Sequence, residues 1–205
     1  ILSMKNRFRV STARFANVAF SNGSLLDGFN YRYVKNQALS CPSNIKRYFV
    51  TEQQSGQICL LATFLDNSGS IFFPKLNFND DQIYFKDLAL EFLSERGLKP
   101  IYVESEAEAK AYSISKNPGF YPIFLFESDT SGEKEYEEFY SLNDVVSLDS
   151  FGSLGVISSA DTCLDFDEVI KNFEAAFKYG EDAKQYVIYT LKNYVPEFNH
   201  IERGL

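Results

Sequence analysis

An α/β fold with a helical C-terminal extension is what this 205-residue sequence predicts, and three observations predict it. The stretch Arg9–Leu26, RVSTARFANVAFSNGSLL, reads as a strand, a tight turn and a helix start. Apolar runs rich in strand formers then alternate with segments of helical period as far as Phe126, the order of a mainly parallel sheet with helices packed on it. Beyond residue 145 the alternation stops and two helical segments follow one another.

Val10, Phe15, Val18 and Phe20 make the first stretch a buried strand. Asn22-Gly23 breaks it, Ser24 stands at a helix N-cap, and Leu25, Leu26, Phe29, Tyr33 and Val34 recur at helical spacing to about Lys35. A turn running into a helix N-terminus presents backbone N–H groups to an anion. Asn17, polar within the apolar run, either bonds neighbouring backbone in the core or faces a ligand. Ala38–Pro42 is a connection and Ile45–Val50 a strand. Thr51 with Gln54 fits a capping box, opening a helix that carries Ile58, Leu61, Ala62 and Leu65 on its apolar side. Asp66–Gly69 is a turn, and Ser70–Phe73 is a buried strand stopped by Pro74.

A helix over about Phe85–Arg96 buries Leu88, Phe92 and Leu93 and stops at Gly97. Pro100–Val103 is a strand, Ser105–Ser113 a helix with acids in its first turn, Tyr121–Phe126 a strand and Asp129–Gly132 a turn. Ser147–Ser159 reads as an irregular linker, before a helical hairpin of Asp165–Tyr179 and Glu181–Tyr194 joined at Gly180. The expected division is therefore 1–144, an α/β part, and 145–205, a linker with a helical extension.

With 45% hydrophobic and 23% charged residues the chain is neither disordered nor collagen-like. No apolar run approaches the ~20 residues of a membrane span, and no signal-peptide pattern opens the chain. The start, ILSMKNRF, reads like the end of a helix running into a strand, as in a piece of something longer. Cys41, Cys59 and Cys163 lack metal-ligand spacing and read as reduced thiols of a cytoplasmic protein. Net charge is −8, but residues 1–50 carry eight Lys/Arg against Asp27 alone. Such asymmetry points to an anionic ligand or a complementary segment near the first part of the chain; the alternative is a solvated strand-and-helix surface that happens to be basic. The basic residues are dispersed and no recognition motif accompanies them, which argues against nucleic acid. His200 has no serine, cysteine or second histidine nearby in sequence, and reads as structural or capping.

The segment TARFANVAFSNGSLL resembles the strand that follows the catalytic Tyr-x-x-x-Lys in extended short-chain dehydrogenases. Within that superfamily it is most similar to NAD-dependent nucleotide-sugar 4,6-dehydratases of bacterial polysaccharide and legionaminic-acid-type biosynthesis. IKRYFVT at Ile45–Thr51, IFFPKL at Ile71–Leu76 and SDTSGEKEYEEFY at Ser128–Tyr140 match in family order, and PEFNHIERG near the end resembles the legionaminic branch. The sequence contains no G-x-x-G-x-x-G turn, and no Tyr-x-x-x-Lys precedes this segment. The resemblance therefore implies the C-terminal half of such an enzyme: the last strands of a Rossmann-type sheet and a substrate-binding α/β lobe. It also implies a missing N-terminal Rossmann half as partner, a homo-oligomer of the full-length enzyme, and no activity in the chain by itself.

The resemblance assigns Asn17, Gly23, Ser24, Leu25, Arg47, Lys75 and Glu133 to the sugar-nucleotide substrate. Arg47 matches the arginine that holds the diphosphate, for which a guanidinium's planar fork is suited; the alternative is a surface ion pair. Glu133, in the Gly132-Glu133-Lys134 turn, matches a glutamate that accepts two ribose hydroxyls; the alternative is an acidic helix start. An arginine often stands two residues before that glycine, and here the position is Thr130. Lys75 lies at a strand end near the nucleotide or is simply solvated, and Phe15 either borders the nicotinamide of NAD or is a core phenylalanine. No catalytic and no metal-ligating residue is expected. In the implied reaction NAD oxidises C4 of a UDP- or GDP-linked N-acetylglucosamine, a base takes the C5 proton, water leaves from C6 and hydride returns there, giving a 4-keto-6-deoxy sugar. A nucleotide-sugar epimerase, or a binding or scaffolding module without chemistry, is the alternative.

Overall fold

Phe72 and Phe73, adjacent on one strand and both buried, show how the apolar runs are used. Successive strand residues face opposite sides, so Phe72 packs with Ile58 and Ala62 while Phe73 packs with Tyr48, Phe139 and Ile157. The computed structural model describes residues 2, 5–65, 68–112, 117–130, 133–158, 165–196 and 198–200. The chain divides into two compact units, one of Ile1–Ser128 with Lys134–Ser159, the other of Asp129–Glu133 with Ala160–Leu205.

In the first unit the strands are β1 Thr12–Ala13, β2 Asn17–Val18, β3 Leu39–Pro42, β4 Lys46–Val50, β5 Ser70–Pro74, β6 Gln82–Tyr84, β7 Lys99–Val103, β8 Phe120–Phe126, β9 Val145–Ser147 and β10 Leu154–Ser158. Its helices are α1 Leu25–Val34, α2 Glu52–Leu65, α3 Phe85–Ser94 and α4 Glu106–Ala111. The strands form three sheets of order β1-β5-β10-β9, β2-β4-β6 and β3-β8-β7. The third sheet is parallel throughout and buries Leu39, Cys41, Tyr121 and Ile123 beneath Leu26 and Phe29 of α1 and Ala89, Phe92 and Leu93 of α3. Burial pushes the Cys41 thiol up to about 12, and the buried Tyr121 hydroxyl donates to the Gln37 carbonyl at 2.9 Å. The expected capping box is present: Thr51 Oγ1 accepts from the Gln54 N–H at 3.1 Å, and Gln54 Oε1 from the Thr51 N–H at 2.8 Å.

Five expectations change. The single buried strand over the first stretch is two short strands in different sheets, because the backbone switches partners: the Arg14 N–H bonds Phe72, the Ala19 N–H bonds Val50. That crossing breaks the strand alternation, leaving Phe15 and Phe20 exposed and Ala16 buried. Ala38–Pro42 is not a connection; Leu39–Pro42 is β3, in parallel register with β8. The linker expected over Ser147–Ser159 contains β10, antiparallel to β5, with Gly155 opposite Phe73. Its glycine masked the strand, yet is demanded there, since a Cβ on Gly155 would lie 2.1 Å from the Phe73 ring. The sheets are mixed rather than mainly parallel, for β6, β9 and β10 all pair antiparallel. On α2, Ile58 and Ala62 are buried whereas Leu61 and Leu65 are exposed.

In the second unit α5, Phe166–Ala176, starts at Asp165, whose carboxylate accepts the Asp167 and Glu168 N–H groups. A 3-10 turn over Phe177–Asp182 leads into α6, Ala183–Tyr194, and Gly180 takes the positive φ of 59° that the reversal needs. Cys163, Gly132 and Ser113, and parts of the turns expected at Asp66–Gly69 and Asp129–Gly132, lie outside the described residues.

Candidate functional site

The turn after β2 is built by local bonds. Ser21 receives the Ser24 N–H, Gly23 adopts φ 77°, and Ser24 caps α1 by accepting the Asp27 N–H at 3.2 Å. This folds Asn17, Gly23, Ser24 and Leu25 around one cleft of about 290 Å³, walled by Phe49 of β4 and Phe85 of α3. Asn17 is exposed at its edge, opposite Phe49 in the β2–β4 register, so it is not the buried core asparagine.

The helix start is not the open anion site expected from the sequence. The Asp27 carboxylate folds back and accepts the Gly23 N–H at 3.1 Å. A carboxylate already placed at the positive end of the helix repels a second anion. The cleft therefore suits an uncharged, hydrogen-bonding part of a ligand against two aromatic walls.

Arg47 and Phe49 share one face of β4, two residues or about 7 Å apart, while Tyr48 and Val50 point into the core behind. The guanidinium donates to the Lys46 carbonyl at 2.8 Å and to the Lys134 carbonyl at 2.9 Å. Arg47 thus ties residues after 133 to β4, and a phosphate would share its fork with these carbonyls. Lys75 is not brought to this cleft. It lines a separate cavity of about 300 Å³ with Tyr48, Phe78, Glu137 and Tyr140, and its Nζ donates to the Phe151 carbonyl. Phe15 is exposed, which excludes the core reading. Glu133 falls in the second unit, its side chain exposed and its N–H donating to Thr130. The described residues from 133 to 144 form no helix, so the acidic-helix alternative fails. In the same unit the His200 ring stacks near Phe198.

One residue escaped the sequence reading. Gln82, buried on β6, exchanges hydrogen bonds of 3.2 Å with the backbone N–H and carbonyl of Glu137. The Glu137 carboxylate accepts the Tyr48 N–H at 3.2 Å; burial raises its pKa from the usual 4.5, while that bond and the Arg47 charge oppose the rise. Nothing local marks Gln82, whose partner is 55 positions away. A larger cavity of about 650 Å³ holds none of the expected residues. Its Lys110 pairs with Glu106 at 3.0 Å and its Arg32 bonds the Ala38 carbonyl.

Residues 2–153 match the model of a family described as polysaccharide biosynthesis protein. The chain belongs to that family. Among solved structures, the X-ray structure of Pen from Bacillus thuringiensis is similar with a TM-score of 0.53 at 21% identity, covering 74% of this chain. The chain spans 40% of the length of Pen. No curated protein matches it. The likeness to Pen shows a shared mixed α/β fold. No helix among the described residues is long and apolar enough to cross a membrane, and no cluster of potential metal ligands occurs among them.

Proposed function

We propose that this chain is the substrate-binding part of a nucleotide-sugar 4,6-dehydratase, taking a UDP- or GDP-linked N-acetylglucosamine in the cytoplasm. The supporting observation is the cleft that gathers Asn17, Gly23, Ser24 and Leu25 beside the face of β4 carrying Phe49 and Arg47. In this reading the aromatic-walled cleft takes an uncharged part of the substrate, hydrogen-bonded by Asn17 and the Ser24 turn. Arg47, further along the strand, takes the diphosphate, and Asp27 keeps the phosphates away from the helix start. NAD would be held mainly by an N-terminal half beyond these residues, with the exposed Phe15 ring beside its nicotinamide. The role of this chain is to bind and orient the sugar nucleotide for chemistry done by residues beyond it.

Calorimetric titration of this chain with UDP- and GDP-N-acetylglucosamine, and with the free nucleosides, tests the reading. Arg47→Ala should weaken sugar-nucleotide binding by about 30-fold or more, and Arg47→Lys by less, because the lysine keeps charge but loses the fork. The nucleosides should bind all three proteins alike. Equal losses for nucleoside and sugar nucleotide would reduce Arg47 to the backbone clamp seen in the structure.

A further inference from the structure

The hairpin α5–α6 lies beyond residues 2–153, the part that the family accounts for. Its helices have 11 and 12 residues. Helices this short are marginal alone and depend on burying an apolar face. Yet Ala176 is the one fully buried residue among the described positions of the two helices.

Two apolar stripes run along α5. Val169, Phe173 and Ala176 recur at helical spacing as the more buried stripe, with the Phe173 ring 6.2 Å from Tyr194 of α6 and the Asn172 amide donating to the Tyr194 hydroxyl at 2.7 Å. Phe166 and Ile170 form the second, continued by Phe177 at the start of the turn, and these are 60%, 55% and 68% exposed. On α6, Tyr189 is 67% exposed. The arc of apolar side chains on α5 is wider than one helix can cover.

Charge selects what covers the rest. Helix α5 carries Asp167, Glu168 and Glu174 against Lys171, whereas α6 carries Lys184 and Lys192 and no acid. A partner of one sign would be attracted by one helix and repelled by the other. A second copy related by a two-fold axis sets α5 against α6 twice, matching unlike charges at both contacts. We propose that this hairpin is a self-association surface on which two copies of the chain pack as a four-helix bundle around Phe166, Ile170 and Phe177. Helices of about 18 Å bury an area at the low end of specific interfaces, so the dimer should dissociate in the micromolar range.

Sedimentation equilibrium of the full 205-residue chain tests this, with far-UV circular dichroism to check that each variant keeps its helices. The wild type should show a monomer–dimer equilibrium, and Ile170→Asp should weaken it about tenfold or more. A chain bearing Lys184→Glu and Lys192→Glu, and another bearing Glu168→Lys and Glu174→Lys, should each dimerise more weakly than wild type. Mixed together, the two should form heterodimers more tightly than either self-associates. A monomer at all concentrations, a dimer insensitive to Ile170→Asp, or a mixture no tighter than its components would each overturn the proposal. The mixing arm keeps it falsifiable if Ile170→Asp unfolds the hairpin.

Discussion

The sheet-bearing unit and the C-terminal hairpin are both rich in aromatic residues but place them in opposite ways. In the first, Phe29, Phe72, Phe73 and Tyr121 are almost wholly buried, each between a sheet and something packed on it. In the hairpin, Phe166, Phe177 and Tyr189 stay exposed, and Tyr179 and Tyr186 stack on each other with about half their surface exposed. Aromatic content therefore says little about stability; the number of sides on which a ring is enclosed decides it. The difference also separates functions: a cleft needs rigid walls such as Phe49 and Phe85, whereas an association surface needs exposed rings.

Matched truncations give the largest test of this contrast. Phe29→Ala, in the core under the β3-β8-β7 sheet, should cost about 3–5 kcal/mol in urea unfolding, close to the whole stability of many domains. Phe173→Ala, in the half-buried stripe of α5, should cost no more than about 1–2 kcal/mol, since less area returns to water. Equal costs would show that the hairpin is as enclosed as the body.

Adding an atom tests the same enclosure from the other side. Gly155→Ala should destabilise the chain by about 1–3 kcal/mol, because its methyl meets the Phe73 ring, itself stacked on Phe139 at 5.8 Å. The measurement is again the urea midpoint, and a neutral result would mean that this layer can part freely.

The smallest effect concerns Glu137. Its folded pKa lies above 4.5, so the native state holds the proton longer than the unfolded chain. The contribution is then most favourable below 4.5 and declines as pH rises through the elevated value, after which it is constant. Glu137→Gln keeps an acceptor for the Tyr48 N–H and removes this titration. The variant's stability relative to wild type should therefore be higher at pH 7 than at pH 4. Parallel midpoints at the two pH values would place Glu137 in a solvent-like setting.

Much of the fold was legible in order. The helices over Glu52–Leu65, Phe85–Ser94 and the C-terminal pair, and the strands β4, β5, β7 and β8, follow from periodicity and from punctuation by Gly97, Pro74 and Gly180. The cleft was half legible: Asn17, Gly23, Ser24 and Leu25 lie within nine residues and fold through one turn. Arg47 is placed relative to them only by the parallel register of β2 with β4.

What the sequence by itself determined is whatever closes within three or four residues. Ser24 finds the Asp27 N–H, Thr51 finds Gln54, and Asp165 finds Glu168, because each pair is brought into reach by the first turn of its own helix. Tertiary structure alone decided that the opening stretch splits between two sheets and that a Gly- and Ser-rich segment becomes a central strand. It also decided that Arg14 reaches the Phe139 carbonyl 125 positions away, and that Gln82 meets Glu137. Those contacts depend on which surfaces meet when apolar faces are buried, and local backbone preference carries no information about so distant a partner.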